Sequence, residues 1–269
     1  MNKIDELIVK NTFNNIIDGK LIIPDNIKQI KFDVGLAGEA PNAAIWISET
    51  PDRFVIGIEP IPYHWGMLHN FETSNSLRPY PHNFKIIQLE EGVVKLNRNI
   101  VGKIDNRFCG LECAIDDVDG IQRRVFYQTN RKGGASGSSS LLKPINKHPM
   151  VNDVEDIYEV NTISLSSILD YIPWDRFEYI EHIKTDCEGY DYTVVKSMGK
   201  YLNKIVFISS ELLRRDWWEN KTPDKEFVRF MLDNNFSVIS EKGGEINFVN
   251  EKLKHKINEH SLNNKTLGL

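Results

Sequence analysis

A chain of 269 residues that is 41% hydrophobic, 26% charged and 10% aromatic holds ample material for a globular core, which argues against disorder. Its formal charge of −5 argues against a nucleic-acid surface, because the pairs Arg123-Arg124, Arg131-Lys132 and Arg214-Arg215 are too short to build the basic face that phosphates require. Cys109, Cys113 and Cys187 are odd in number and lack zinc-site spacing, no stretch approaches the roughly 20 apolar residues of a membrane span, and the start lacks a signal-peptide core, so no metal, no membrane and a cytoplasmic location are expected.

Residues 3–18, KIDELIVKNTFNNIID, read as a helix, giving a helical extension over about 1–26 that ends in the turn Pro24-Asp25-Asn26. A strand at 27–35 follows, then a helix with Pro41 in its first turn, where a missing N–H costs nothing, then a strand at 54–59. Residues 61–109 have no clear period; apolar runs at 84–89 and 93–96 read as an added hairpin, and the whole as an insertion available to substrate or to a second copy in a homo-oligomer. Strands at 111–115 and 122–129 flank Asp119-Gly120, a hairpin signal.

Residues 130–144 are Gly/Ser-rich and read as a loop, linker or lid. NTISLSSILDYI, from residue 161, is a strand feeding a helix capped by Ser164 or Ser166. A strand at 179–186, a helix from Tyr190, a strand at 204–211 and a helix at 223–235 lead to two strands about Gly243-Gly244 and a polar tail at 251–269. Strands alternating with helices and closing on a hairpin predict one α/β domain with a doubly wound, mostly parallel sheet and a C-terminal antiparallel hairpin.

In such sheets ligands gather beyond the carboxyl ends of the strands. Acids stand at nearly all of those ends: Asp33, Glu59, Asp116, Asp186 with Glu188, and Glu211. A glycine after the first strand lets a ligand approach the backbone, and Glu59, about 24 residues beyond Gly35, suits the ribose hydroxyls of an adenosine, for which an acid is expected roughly 20 residues on. Gly35 and Gly38 keep only the second half of GxGxxG, and Asp33 and Glu39 add negative charge where a pyrophosphate would lie. A phosphate-free, cationic cofactor, S-adenosylmethionine, suits that charge better than a dinucleotide.

The successive blocks FDVGLAG, VIGIEP, ECAIDDVDG, SGSSSLL, ISLSSILDYI, IKTDCEGYDYTVVKSM and VFISSE, over about residues 29–212, resemble those of FkbM-type S-adenosylmethionine-dependent methyltransferases. The most specific is Lys184-Thr185-Asp186-Cys187-Glu188-Gly189-Tyr190-Asp191, similar to the family's Lys-hydrophobic-Asp-x-Glu-Gly-x-Glu/Asp. The resemblance implies a single domain on the class I methyltransferase (Rossmann-like) fold that O-methylates a hydroxyl of a sugar, glycan or related small molecule. It also implies that Asp33, Gly35, Gly38 and Glu59 line the cofactor site, that Ala114 and Ile115 flank adenine, and that Asp186, Glu188 and Glu211 face the transferred methyl. The first loop departs from the family's Asp-x-Gly-Ala-Asn-x-Gly at Leu36, Ala37 and Glu39.

A carboxylate that takes the acceptor's proton during methyl transfer adds about 10² to 10⁴ in rate, the role expected of Asp186 or Glu188. Their structural alternatives are a helix cap for Asp186 and a first-turn dipole contact for Glu188. His182 reads as structural, and Trp217-Trp218 as either a sugar-stacking platform or packing. An NAD-dependent oxidoreductase and a non-catalytic methyltransferase-like binding protein are the rival readings.

Overall fold

The computed structural model describes residues 4–8, 16–38, 40–62, 64–65, 106–129, 138–145, 154–212 and 216–256. The runs at 84–89 and 93–96, the basic pairs at 131–132 and 214–215, Glu39 and the end of the tail lie outside the described residues.

The strands run β1 (Ile16–Ile17), β2 (Lys20–Leu21), β3 (Gln29–Val34), β4 (Arg53–Ile58), β5 (Phe108–Leu111), β6 (Ala114–Ile115), β7 (Gln122–Thr129), β8 (Val154–Ile163), β9 (Ile180–Thr185), β10 (Ile205–Glu211), β11 (Phe236–Lys242) and β12 (Glu245–Asn250). The helices are α1 (Pro41–Glu49), α2 (Leu165–Leu169), α3 (Asp191–Lys196) and α4 (Asp224–Asp233). Seven strands form the main sheet in the order β11-β12-β10-β9-β3-β4-β5. β3, β4, β5, β9 and β10 are parallel, whereas β12 is antiparallel to both β10 and β11. A continuous apolar run suits a strand covered on both faces, and every residue of β4 is buried. The order reverses between β3 and β9, so that both carboxyl ends meet at one place.

Three of the expected elements take another form. Within the N-terminal segment read as a helix, Ile4–Leu7 is a 3-10 turn and β1 and β2 are an antiparallel pair. The reason is Asp18-Gly19: both have positive φ, 50° and 71°, as the primed two-residue turn demands. Second, the strand expected at 111–115 divides. β5 begins at Phe108, inside the segment read as insertion, and joins the main sheet, while β6 pairs in parallel with β8. Third, β6 and β7 do not form a hairpin across Asp119-Gly120. β8 lies between them, antiparallel to β7, in a second sheet of order β6-β8-β7.

Inside the main sheet a buried polar ladder crosses four strands. His182 Nε2 lies 2.8 Å from Ser209 Oγ, Ser209 donates to Asn247 Oδ1, and Asn247 Nδ2 donates to Ser240 Oγ at 3.0 Å. His182 is therefore structural. Burial, reinforced by the charges of Lys31, Lys184 and Arg53, holds its imidazole well below the usual range. The unfolded chain takes up that proton below pH about 6.5 and the folded chain does not, so His182 lowers stability as pH falls from there, by up to about 1.4 kcal/mol per unit. Urea midpoints at pH 7.5 and 5.0 should show a shallower acid decline in His182→Gln than in the parent.

Candidate active site

The strand tips are tied to one another by their backbones. Gly35 and Leu36 donate to Ile58 O at 3.0 and 3.1 Å, Asp186 N donates to Val34 O at 3.0 Å, and Glu59 N donates to Leu111 O at 3.1 Å. Gly35, at φ 83°, lies so close to β9 that a Cβ there would stand 2.1 Å from Asp186 O. No residue with a side chain fits this approach.

The tips border a hollow of about 680 Å³ that opens to solvent. Gly35, Glu59, Ala114, Ile115, Asp186 and Glu188 all line it; Asp33, Gly38 and Glu211 do not. Glu59 is buried, and each of its oxygens accepts one backbone amide: Oε2 from Ala37 at 3.0 Å and Oε1 from Ile61 at 2.9 Å. A carboxylate oxygen has two lone pairs, so one on Oε2 remains for a ligand hydroxyl, while His64 also stands beside Oε1. The apolar wall includes Ile61, Ala114, Ile115, Phe126 and Leu141, and among the described residues no Lys or Arg lines it.

Asp33 sits under the loop instead of facing the cavity. Its Oδ2 accepts from Ala43 N at 3.1 Å, near the start of α1, and its buried Oδ1 has no partner. Burial pushes this carboxyl up to about 7. Leu36, which departs from the family pattern, is an anchor: it is buried with Trp46, Val55 and Phe108. Ala37 and Ala40 then turn the loop at φ 57° and 45°, left-handed values that glycine adopts at lower cost.

At the β9 tip, Asp186, Glu188 and Glu211 each bring one carboxylate oxygen within 4.8 Å of the others. Such a group can bridge a divalent ion or share protons. Neither Asp186 nor Glu188 caps α3, whose N-cap is Tyr190. Glu211 lines a smaller cavity of about 220 Å³ with Asp191, Lys221 and Asp224. Burial, then the charges of Asp186, Glu188 and Asp191, pushes Glu211 up to about 10, so it keeps its proton at neutral pH. Burial also raises Asp191, to about 6. Lys184 Nζ donates to Asp186 Oδ2 at 2.9 Å. Burial opposes the charge of Lys184, but Asp186 and Asp33 outweigh it and its pKa is raised.

The sequence reading missed several wall residues. His64, with Nδ1 3.3 Å from Glu59 Oε1, comes from the segment read as insertion. Tyr190 also lines the cavity and donates to Asp116 Oδ1 at 2.6 Å, while Arg124 donates to Asp116 Oδ2 at 2.8 Å. The position of Asp116 at a strand end was the one signal for that trio. Trp218 is a packing group rather than an open platform: it is buried, and a Cβ on Gly189 would lie 3.0 Å from its Cδ1.

In open α/β sheets, ligands gather in a cavity placed like this one, beyond the carboxyl ends of the strands where strand order reverses. Residues 51–238 match the Methyltransferase FkbM domain, and the chain belongs to that methyltransferase family. The match begins just before β4, so the Gly35 loop precedes it. No curated protein matches the sequence. Among solved structures the chain is similar to an antibiotic related methyltransferase, at 9% identity over 90% of this chain and 96% of that one with a TM-score of 0.32, a likeness too slight to carry an argument. No described helix is long and apolar enough to cross a membrane.

Gly35→Ala should cost at least roughly 2 kcal/mol, since it combines left-handed strain with collision against backbone. Gly19→Ala, at φ 71° with nothing within 4 Å of the added carbon, isolates the strain alone and should cost less. Urea unfolding of the two variants side by side measures the difference.

Proposed function

We propose that this protein is an S-adenosylmethionine-dependent O-methyltransferase acting on a hydroxyl of a sugar, glycan or related small molecule, and that its main sheet is the doubly wound sheet of the class I methyltransferases. The observation that carries the reading is that Gly35, Glu59, Ala114, Ile115, Asp186 and Glu188 line one cavity in whose wall, among the described residues, no Lys or Arg stands. A dinucleotide fits this wall poorly. Its pyrophosphate would meet no Lys or Arg among the described lining residues, and the Gly35 amide is already bonded to Ile58 O. A cationic sulfonium, by contrast, gains from Asp186 and Glu188 nearby.

In this reading Glu59 accepts a ribose hydroxyl through Oε2, Ala114 and Ile115 flank the adenine, and the close backbone at Gly35 leaves room for the methionine end. S-adenosylmethionine, when bound, supplies an electrophilic methyl group. Asp186 or Glu188 orients the acceptor hydroxyl and takes its proton as oxygen bonds to the methyl carbon and the carbon–sulfur bond breaks, while the protonated Glu211 beside them donates a hydrogen bond into the carboxylate group. Positioning of this kind is worth roughly 7 to 11 kcal/mol when the reacting atoms are held near 3 Å apart.

Calorimetric titration should show binding of S-adenosylmethionine and none of NAD. Glu59→Gln should weaken that binding by about tenfold, through loss of charge-assisted hydrogen bonds. On an acceptor found by screening a glycan panel, Asp186→Asn should bind the cofactor normally and lose roughly 10² to 10⁴ in turnover. Binding of NAD alone would overturn the cofactor assignment; full turnover in Asp186→Asn would overturn the base. A chain that binds S-adenosylmethionine yet methylates nothing on the panel would favour a binding protein over an enzyme.

A further inference from the structure

Ser140 is only 1% exposed and engages all its polar groups. Its amide donates to Tyr127 O at 3.1 Å and its carbonyl accepts from Tyr127 N at 2.9 Å, which fixes it to β7. The hydroxyl accepts from Leu142 N at 3.1 Å and directs its proton to two backbone carbonyls, Glu188 O at 3.1 Å and Cys187 O at 3.4 Å. The segment that carries it is also anchored at its far end, where Ile145 N donates to Trp217 O at 2.9 Å and Glu219 N donates to Lys143 O at 2.8 Å.

The carbonyls that Ser140 holds belong to an unfavourable turn. Glu188 has φ 51°, a left-handed value that costs a residue with a side chain roughly 1 to 2 kcal/mol. Gly189 follows at φ 88° against the Trp218 ring. This turn carries the carboxylates of Asp186 and Glu188. Its conformation must be imposed from outside, since Glu188 does not prefer it.

We propose that Ser140 is a positioning residue of the site: its hydroxyl holds Glu188 in the left-handed conformation and so sets where the Asp186 and Glu188 carboxylates meet the acceptor. The inference rests on the methyl-transfer reading for its purpose, and its mechanism is testable without cofactor. The position answers to a specific function of the hydroxyl, because one proton reaches two carbonyls of the same turn, Glu188 O and Cys187 O, a contact that a side chain without a donor cannot make.

The test is hydrogen exchange on the full chain, following the Tyr190 amide, which donates to Cys187 O at 3.2 Å across this turn. Ser140→Ala should speed that exchange by about tenfold, the equivalent of one lost hydrogen bond, with the β3 and β10 amides unchanged. Ser140→Thr, which keeps the hydroxyl on extended backbone, should restore the parent rate. In a Glu188→Gly background, where the left-handed turn carries no side-chain strain, Ser140→Ala should change the rate by less than about threefold.

Equal acceleration in both backgrounds, uniform acceleration along the chain, or a Thr variant that behaves like Ala would each overturn the proposal. Failure of the parent chain to bind S-adenosylmethionine would instead sink the methyl-transfer reading and leave the exchange result standing.

Discussion

The backbone contact between Gly35 and Asp186 is the constraint from which the site follows. β3 and β9 are neighbours at the place where strand order reverses, and their parallel register sets Val34 beside Thr185. Both chains must leave the sheet there, in opposite directions, without leaving a gap between them. Only a glycine permits it. Because the two tips are in contact, the loop carrying Ala37 and the turn carrying Glu188 border the same hollow, and Glu59 reaches across from β4 to bind the first of them.

Electrostatics at this end of the sheet is graded by depth. Asp33, deepest, is pushed towards its neutral form by burial, and so is Glu211 on β10. Asp186 lies at the edge and has Lys184 as its counter-ion. Neighbouring carboxyls thus sit in different environments, and it is environment rather than residue type that generally separates acid from base roles. Burial opposes the charge of Lys184, and Asp186 and Asp33 raise its pKa in spite of it.

Much of this was legible in the sequence, and the exceptions have physical causes. β4 and β10 stood out because unbroken apolar runs have little alternative in a soluble α/β chain. Glu59 and Gly35 were found by their separation, which reflects one strand-helix-strand unit. The dipeptide Asp-Gly illustrates the limit. At 18–19 it closes a true two-residue hairpin that helical periodicity had obscured, whereas at 119–120 it does not, because β6 is only two residues long and finds its partner in β8. Ser140 was noted only as part of a serine cluster over a possible ligand. Its bonds span 47 and 48 residues, and no local pattern announces where a loop hydroxyl will come to rest. Glu211 was expected beside the acceptor with the other two acids, but its place in a second cavity depends on how β10 and α4 pack.

The cavity wall has two kinds of construction. Gly35, Glu59 and Asp186 belong to strand tips whose backbones bond to one another, so any change there propagates into the sheet. Ile61, His64, Ser139 and Leu141 belong to connecting segments, which tolerate replacement far better than the elements they join. Change is therefore tolerated on one bank of the hollow, where the connectors lie, and resisted on the other, where each strand tip is held by its neighbour.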